Sequence, residues 1–323
     1  KRQGLLNFLD AFGKWSLVDT FVMVLFMVAF KFDLAAPQGK GILNDILRES
    51  GDEGQFQVQV EALYGFYSFL VATFMSLICG HITTACHRYA HKIGEFGVDS
   101  DATKSRLCER HDNPVDRHGP TIAISVSLVL VLCGTFLQTF NFNFLGLAGY
   151  ALGPEQNRPF SVFSLGMQIP EASKDPSSPF ILALQGVFFL FAIIVVVLYH
   201  VILIILWTAK MPTRMQKQFF LTAQVLNAWS GLDVFCVTIL AGVLEIRQFA
   251  DFIVGNKCDQ LDALLAKSPI ADQMPGGVVS CFDVDSTLRA GFLVLAVAVV
   301  ISTITGQVML HRCSLALCSL NPR

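Results

Sequence analysis

Apolar residues in this chain gather into six runs, 17–33, 64–84, 120–140, 180–207, 231–246 and 288–310, separated by stretches rich in charge and turn residues. A helix needs roughly 17–25 mostly apolar residues to cross a bilayer, so each run is read as a membrane-spanning helix. The run 180–207 is the plainest, interrupted only by Gln185 and His200, whereas the first and fifth are short and end on Lys31 and on Glu245-x-Arg247. Between the runs the pattern changes period. Phe56, Val58 and Val60 alternate with Gln57, Gln59 and Glu61, which predicts a strand, and Val279, Cys281 and Phe282-Asp-Val284 echo it. Phe160-Ser-Val-Phe-Ser-Leu-Gly166 offers another short strand before Pro170. The expected fold class is therefore an all-α polytopic membrane protein with six transmembrane helices. A small β-sheet sits in the loops at one end, outside the hydrocarbon, because unpaired peptide groups cannot face lipid.

Charge orients this plan. Loops 1–16, 85–119, 208–227 and 311–323 hold Lys1, Arg2, Lys14, Arg88, Lys92, Lys104, Arg106, Arg110, Arg117, Lys210, Arg214, Lys217, Arg312 and Arg323. The longer loops 34–63, 141–179 and 247–287 hold fewer basic residues and many carboxylates, among them Asp45, Glu49, Asp52, Glu53, Asp272, Asp283 and Asp285. An excess of Lys and Arg marks the cytoplasm-equivalent side, so both ends are expected there and the sheet opposite. The composition agrees: 323 residues, 53% hydrophobic and only 15% charged, with a mean hydropathy of +0.56, are too apolar for a soluble domain of this size. A net charge of −2, with no basic stripe or phosphate loop, argues against a nucleic-acid role. The chain starts at Lys1 without a cleavable signal and is expected to begin partway through a longer polypeptide.

A repeat runs through the pattern. Trp15-Ser16-x-x-Asp19-x-Phe21 returns as Trp229-Ser230-x-x-Asp233-x-Phe235, each at the head of an apolar run. Downstream, Phe56-Gln-Val58 ahead of Gly65-Phe66 matches Phe282-Asp-Val284 ahead of Gly291-Phe292. Similarity at a fixed period signals duplicated architecture, here two related helical units.

With this motif, repeat spacing and topology, the chain resembles the paraquat-inducible protein A family of integral membrane proteins, built from two tandem four-helix units. The resemblance covers essentially the whole chain, as a divergent and N-terminally incomplete member. It implies that 1–88 is the second half of a first unit, 89–119 a linker on the cytoplasm-equivalent side, and 120–323 a second unit. Asn141-Phe-Asn-Phe-Leu-Gly-Leu-Ala-Gly149 and Phe160–Gly166 fall in that unit's long loop. It further implies a non-enzymatic role in moving lipid or another hydrophobic molecule between membranes, with bound lipids, no other cofactor, and a partner of the MCE type. The chain departs from bacterial members by lacking their paired Cys-x-x-Cys zinc knuckles. A non-catalytic structural or accessory subunit of a large membrane complex is the main alternative, and an adhesion module of claudin-like topology a third.

The candidate chemistry is sparse. Ser16-x-x-Asp19 and Ser230-x-x-Asp233 have the grammar of a helix cap, with Trp15 and Trp229 as interfacial anchors. The same carboxylates could instead face the bundle interior and carry a proton or bind a head group. His200, inside the longest apolar run, is either a hydrogen-bonding core residue or a proton-relay member. Thr303 and Thr305, beside Ser302 and Gly306, and His81, beside Ser76, Gly80 and Thr83, form polar patches at matching repeat positions. Cys258 and Cys281 share one loop and make a candidate disulfide. Cys86, His87, His91, Cys108, His111 and His118 crowd the linker, where Cys108-x-x-His111 and His87-x-x-x-His91 both have zinc-ligand spacing; a site needs the two pairs to converge, the loop is full of solvated charges, and no metal is expected. Leu5, Leu6, Phe8, Leu9 and Phe12, and again Phe219, Phe220, Ala223 and Leu226, predict amphipathic helices lying in the interface before each Trp.

Overall fold

A computed structural model of the protein describes residues 13–35, 55–58, 60–90, 105–110, 114–254, 262 and 275–318. Nine helices are used below: α1 (Val18–Ala29), α2 (Tyr64–Ala90), α3 (Pro114–Phe136), α4 (Gly146–Leu152), α5 (Val162–Gln168), α6 (Pro179–Thr208), α7 (Thr213–Trp229), α8 (Leu232–Val254) and α9 (Ala290–Cys318). The strands are β1 (Phe32–Ala35), β2 (Gln55–Val58), β3 (Phe140–Leu145), β4 (Asn157–Phe160) and β5 (Asp283–Leu288).

Among the described residues five helical stretches are long and apolar enough to cross a membrane: Tyr64–Thr83, Arg117–Phe136, Pro179–Thr208, Thr213–Phe252 and Ala290–Leu317. The multi-pass character stands, and five of the six expected runs recur among these stretches. The run 17–33 becomes α1, which has 12 residues. It is therefore about 18 Å long, well short of a ~30 Å hydrocarbon layer. Phe21, Val24, Leu25, Met27, Val28, Ala29 and Phe30 are all buried, so α1 faces protein nearly all round. It lies along α8, where a Cβ at Gly242 would come within 2.5 Å of Leu25. α2 is the opposite case. Leu70, Thr73 and Leu77 make one narrow buried stripe, while Phe69, Val71, Met75, Ile78 and Ile82 are exposed, the pattern of a helix at the bundle's edge with an apolar solvent.

The sheet forms where it is expected and in part from the expected residues, with Phe56 and Val58 on β2 and Val284 on β5. β3 is its centre, paired antiparallel with β4 (Phe140↔Phe160) and with β5 (Phe140↔Leu288, Leu145↔Asp283). β1 and β2 form a separate antiparallel pair, Phe32↔Val58 to Ala35↔Gln55. The proposed strand 160–166 is wrong beyond its first residue. Ser161 caps α5 with a reciprocal box: its hydroxyl accepts from the Ser164 amide at 3.0 Å, while Ser164 Oγ accepts from the Ser161 amide at 2.8 Å. Hydrophobic alternation and capping competed there, and the cap decided.

Two apolar clusters stack along the bundle. The larger, at the sheet end, joins Phe140, Phe142, Phe144 and Phe160 of the sheet to Phe21, Phe188 and Phe235. The smaller packs Leu203, Trp207, Phe220, Met309 and Cys313 with Leu107 and Cys108. Gly146 shows why the sheet closes as it does. Its φ is +68°, and a Cβ there would lie 2.2 Å from the Ser280 carbonyl oxygen, so only glycine fits.

Candidate functional site

Between the two clusters lies a polar layer. Val131 and Val196 of the larger cluster and Tyr199 of the smaller line one cavity with Lys14, Asn227, Ser230, Asp233, His200, Ser302 and Thr303. Its volume is about 30 Å³, room for a single water molecule.

Local structure explains how the charges arrive. α6 contains a π-turn over Leu190–Ile194. Such a turn shifts the hydrogen-bond ladder by one residue. The Phe191 carbonyl there accepts a bond from the Gly231 amide at 3.1 Å. That bond pins the break between α7 and α8, where Ser230 takes extended backbone. α8 then restarts with Asp233 as its second residue, in the positive field of a helix N-terminus. Asp233 accepts from the Val234 amide through Oδ1 at 3.0 Å, and its Oδ2 lies 2.6 Å from Lys14 Nζ. The side chains of Lys14 and Asp233 are only 14% and 26% exposed.

His200 is fully buried. Its Nδ1 lies 2.7 Å from the Val196 carbonyl, which can only accept, so Nδ1 is the protonated nitrogen. Its Nε2 lies 3.1 Å from Ser127 Oγ, which also stands 2.9 Å from the Ala298 carbonyl. With a neutral ring, the single Ser127 proton has two acceptors to choose between. With a charged ring, Nε2–H donates to Ser127 and Ser127 donates to Ala298, so every bond is made. The two protonation states therefore differ by one hydrogen bond that links α3, α6 and α9.

The two motif copies meet. Phe21 and Phe235, equivalent positions, pack edge to face with centroids 5.3 Å apart, and Phe188 touches both. Their carboxylates diverge: Asp233 lines the cavity, whereas Asp19 is exposed. The asymmetry traces to the residue before each Trp. Lys14 supplies a cation to Asp233, but its counterpart Ala228 has none to offer Asp19.

Several expectations need correction. Neither serine caps its helix as proposed. Ser16 sits exposed within a 3-10 turn (Lys14–Leu17), and α1 starts after Leu17 with no side-chain cap. Ser230 closes α7 and faces the cavity instead. Trp229 is no outward anchor: it is stacked on His81 (5.6 Å, 19°) and Phe191 (5.4 Å, 20°), and its indole N–H donates to His81 Nε2. Trp15 is exposed. Thr303 lines the cavity, and Thr305 and His81 do not. Cys281 is disulfide-bonded, while Cys258 lies outside the described residues. Of the linker ligands, Cys86 is exposed and Cys108 buried in the smaller cluster, each a free thiol. His91, His111 and the His87 side chain lie outside the described residues, as do Leu5–Phe12.

Sequence reasoning missed Lys14, Ser127, Tyr199 and Asn227. Ser127 carried a usable signal, being a polar residue near the middle of an apolar run. Comparison with family models, with curated proteins and with solved structures returned no match.

Proposed function

We propose that this chain is a membrane component of lipid or hydrophobic-molecule transfer, with proton binding in the polar layer coupled to movement of the helices. The observation that carries the reading is the convergence of Lys14, Asp233 and His200 on one cavity between two apolar clusters. Ionisable groups at membrane depth are costly and are retained mainly along pathways or relays. Protonating Asp233 would release Lys14, and charging His200 would tighten its bond to Ser127 on α3. Either event changes how α1, α3, α8 and α9 hold together. The duplicated motif and the resemblance to the paraquat-inducible protein A family support the same reading, as do the exposed apolar faces of α2. An MCE-type partner, and a place on the cytoplasm-equivalent side for loops 85–119 and 208–227 and for the C-terminal end, belong to this proposal.

A specific observation favours a second reading, a structural subunit of a membrane complex. The cavity is far too small for a lipid and is closed by an ion pair. Transfer of a fluorescent phospholipid between donor and acceptor vesicles, with the protein reconstituted and a pH gradient imposed, separates the two. Transfer should require the gradient and be lost in His200→Gln and in Lys14→Met combined with Asp233→Asn, which removes the ion pair without stranding a charge. Gradient-independent transfer would remove the proton coupling, and no transfer at all would favour the structural reading.

A further inference from the structure

A second cavity, of about 280 Å³, opens at the sheet end of the bundle. It is formed by the end of α1, the turn into β4 and the segment after α5, and it shares no residue with the polar layer. Its chemistry is balanced: Lys31 and Arg158 supply two cations, Glu155 and Glu171 two carboxylates, and Gln168 an amide.

The cations are positioned rather than merely present. Arg158 donates through Nη1 to the Lys31 carbonyl and through Nε to the Glu155 carbonyl at 3.3 Å, with Glu155 Oε2 3.4 Å from Nη2. Its guanidinium lies 5.7 Å from the centroid of the Phe144 ring, a cation–π contact that fixes the plane of the fork. Lys31 uses one of its three donors on the Glu171 carbonyl, which joins the α1 end to the segment after α5. Because that bond goes to backbone, the Glu171 carboxylate is not committed by it.

We propose that this cavity is the head-group site for a phospholipid bearing a phosphate and a primary ammonium, the phosphatidylethanolamine type. A planar guanidinium beside an ammonium suits a phosphodiester. The two carboxylates and Gln168 suit an ammonium that can donate hydrogen bonds. A quaternary ammonium cannot donate them and is held by aromatic cages, and among the described residues no aromatic side chain lines this cavity. A purely anionic head group would take up the cations and give the Glu171 carboxylate no partner. The volume lies just below the range for whole-ligand pockets, so it fits a head group and not an entire lipid. For the tails, Met167, next in sequence to the lining residue Gln168, and Phe163 one turn before it on α5 are exposed apolar side chains. This site deepens the transfer function proposed above, giving the cargo a class, but binding and transfer are separable.

The test uses the delipidated full chain in a neutral detergent. Thermal protection is titrated with dihexanoyl phosphatidylethanolamine, phosphatidylcholine and phosphatidylglycerol, and with free phosphoethanolamine. Phosphatidylethanolamine should bind at least about tenfold more tightly than the other two lipids, and free phosphoethanolamine more weakly still. Arg158→Gln and Glu171→Gln should each remove that preference. Glu171→Gln serves as the second variant because it keeps the backbone acceptor of Lys31 and so the local fold. Equal binding of the three lipids, or a preference unchanged in both variants, overturns the assignment. Free phosphoethanolamine binding as tightly as the lipid overturns the membrane source. Lys14→Met combined with Asp233→Asn should abolish transfer while leaving the preference intact, so failure of the transfer function and failure of this site read out differently.

Discussion

Lys14 and Asp233 act as one unit, because each is largely withdrawn from solvent and neutralises the other. Breaking a buried pair from one side leaves an uncompensated charge, which costs about 3–5 kcal/mol. Lys14→Met should therefore lower the melting temperature in detergent clearly, and Lys14→Met combined with Asp233→Asn should recover most of the loss. A double variant no more stable than the single one would show that the pair does not hold α8 in place. Gly306 makes a second residue-scale case. A Cβ there would lie 2.2 Å from the Tyr199 hydroxyl oxygen, so Gly306→Ala overpacks the contact between α6 and α9. A cost of about 1–3 kcal/mol is expected, partly relieved by Tyr199→Phe, which deletes the atom that clashes. Comparing the melting temperatures of the single and double variants decides this. None of these pairings is visible from the residues alone, because each partner lies far away in sequence.

At the scale of elements, the π-turn in α6 and the break between α7 and α8 behave as one device, joined by the Gly231-to-Phe191 bond. Deleting Ile194 would return the turn to α-helical register. The Phe191 carbonyl would then be drawn back into its own helix, and the break between α7 and α8, which places Asp233, would lose its anchor. Such a variant should lose proton-linked transfer and melt several degrees lower, whereas deleting a residue beyond Trp207 should not affect the polar layer. Measuring both in parallel identifies the turn as the positioning element. α1 teaches a related lesson. Its composition reads as a span, yet its 12 residues are enclosed by neighbours, because an apolar run reports only the absence of water and not whether lipid or protein takes its place.

For the whole molecule, the charge pattern expects Lys217 and Glu155 on opposite sides of the membrane. In a background free of reactive native cysteines, Lys217→Cys and Glu155→Cys should react with an impermeant maleimide from opposite sides. Labelling of both from one side would undo the orientation. The same experiment assigns the sheet, and the cavity beside Arg158, to one side of the membrane.

Sequence alone determined that the chain is a multi-pass helical membrane protein with a small sheet at one end. The signals behind that are local: run length, period and charge, each readable in a window of about 20 residues. It also singled out Asp233, His200, Ser230 and Thr303 as unusual for their surroundings. Only the tertiary structure decided which of the polar residues belong together. It drew Lys14 to Asp233 and Ser127 to His200, left Asp19 outside, and made β3, which the sequence pattern did not single out as a strand, the centre of the sheet. The reason is physical. Hydrophobic periodicity specifies which surface of an element is buried, but the pairing of buried polar groups depends on distances between elements, and those are set by packing across the whole bundle.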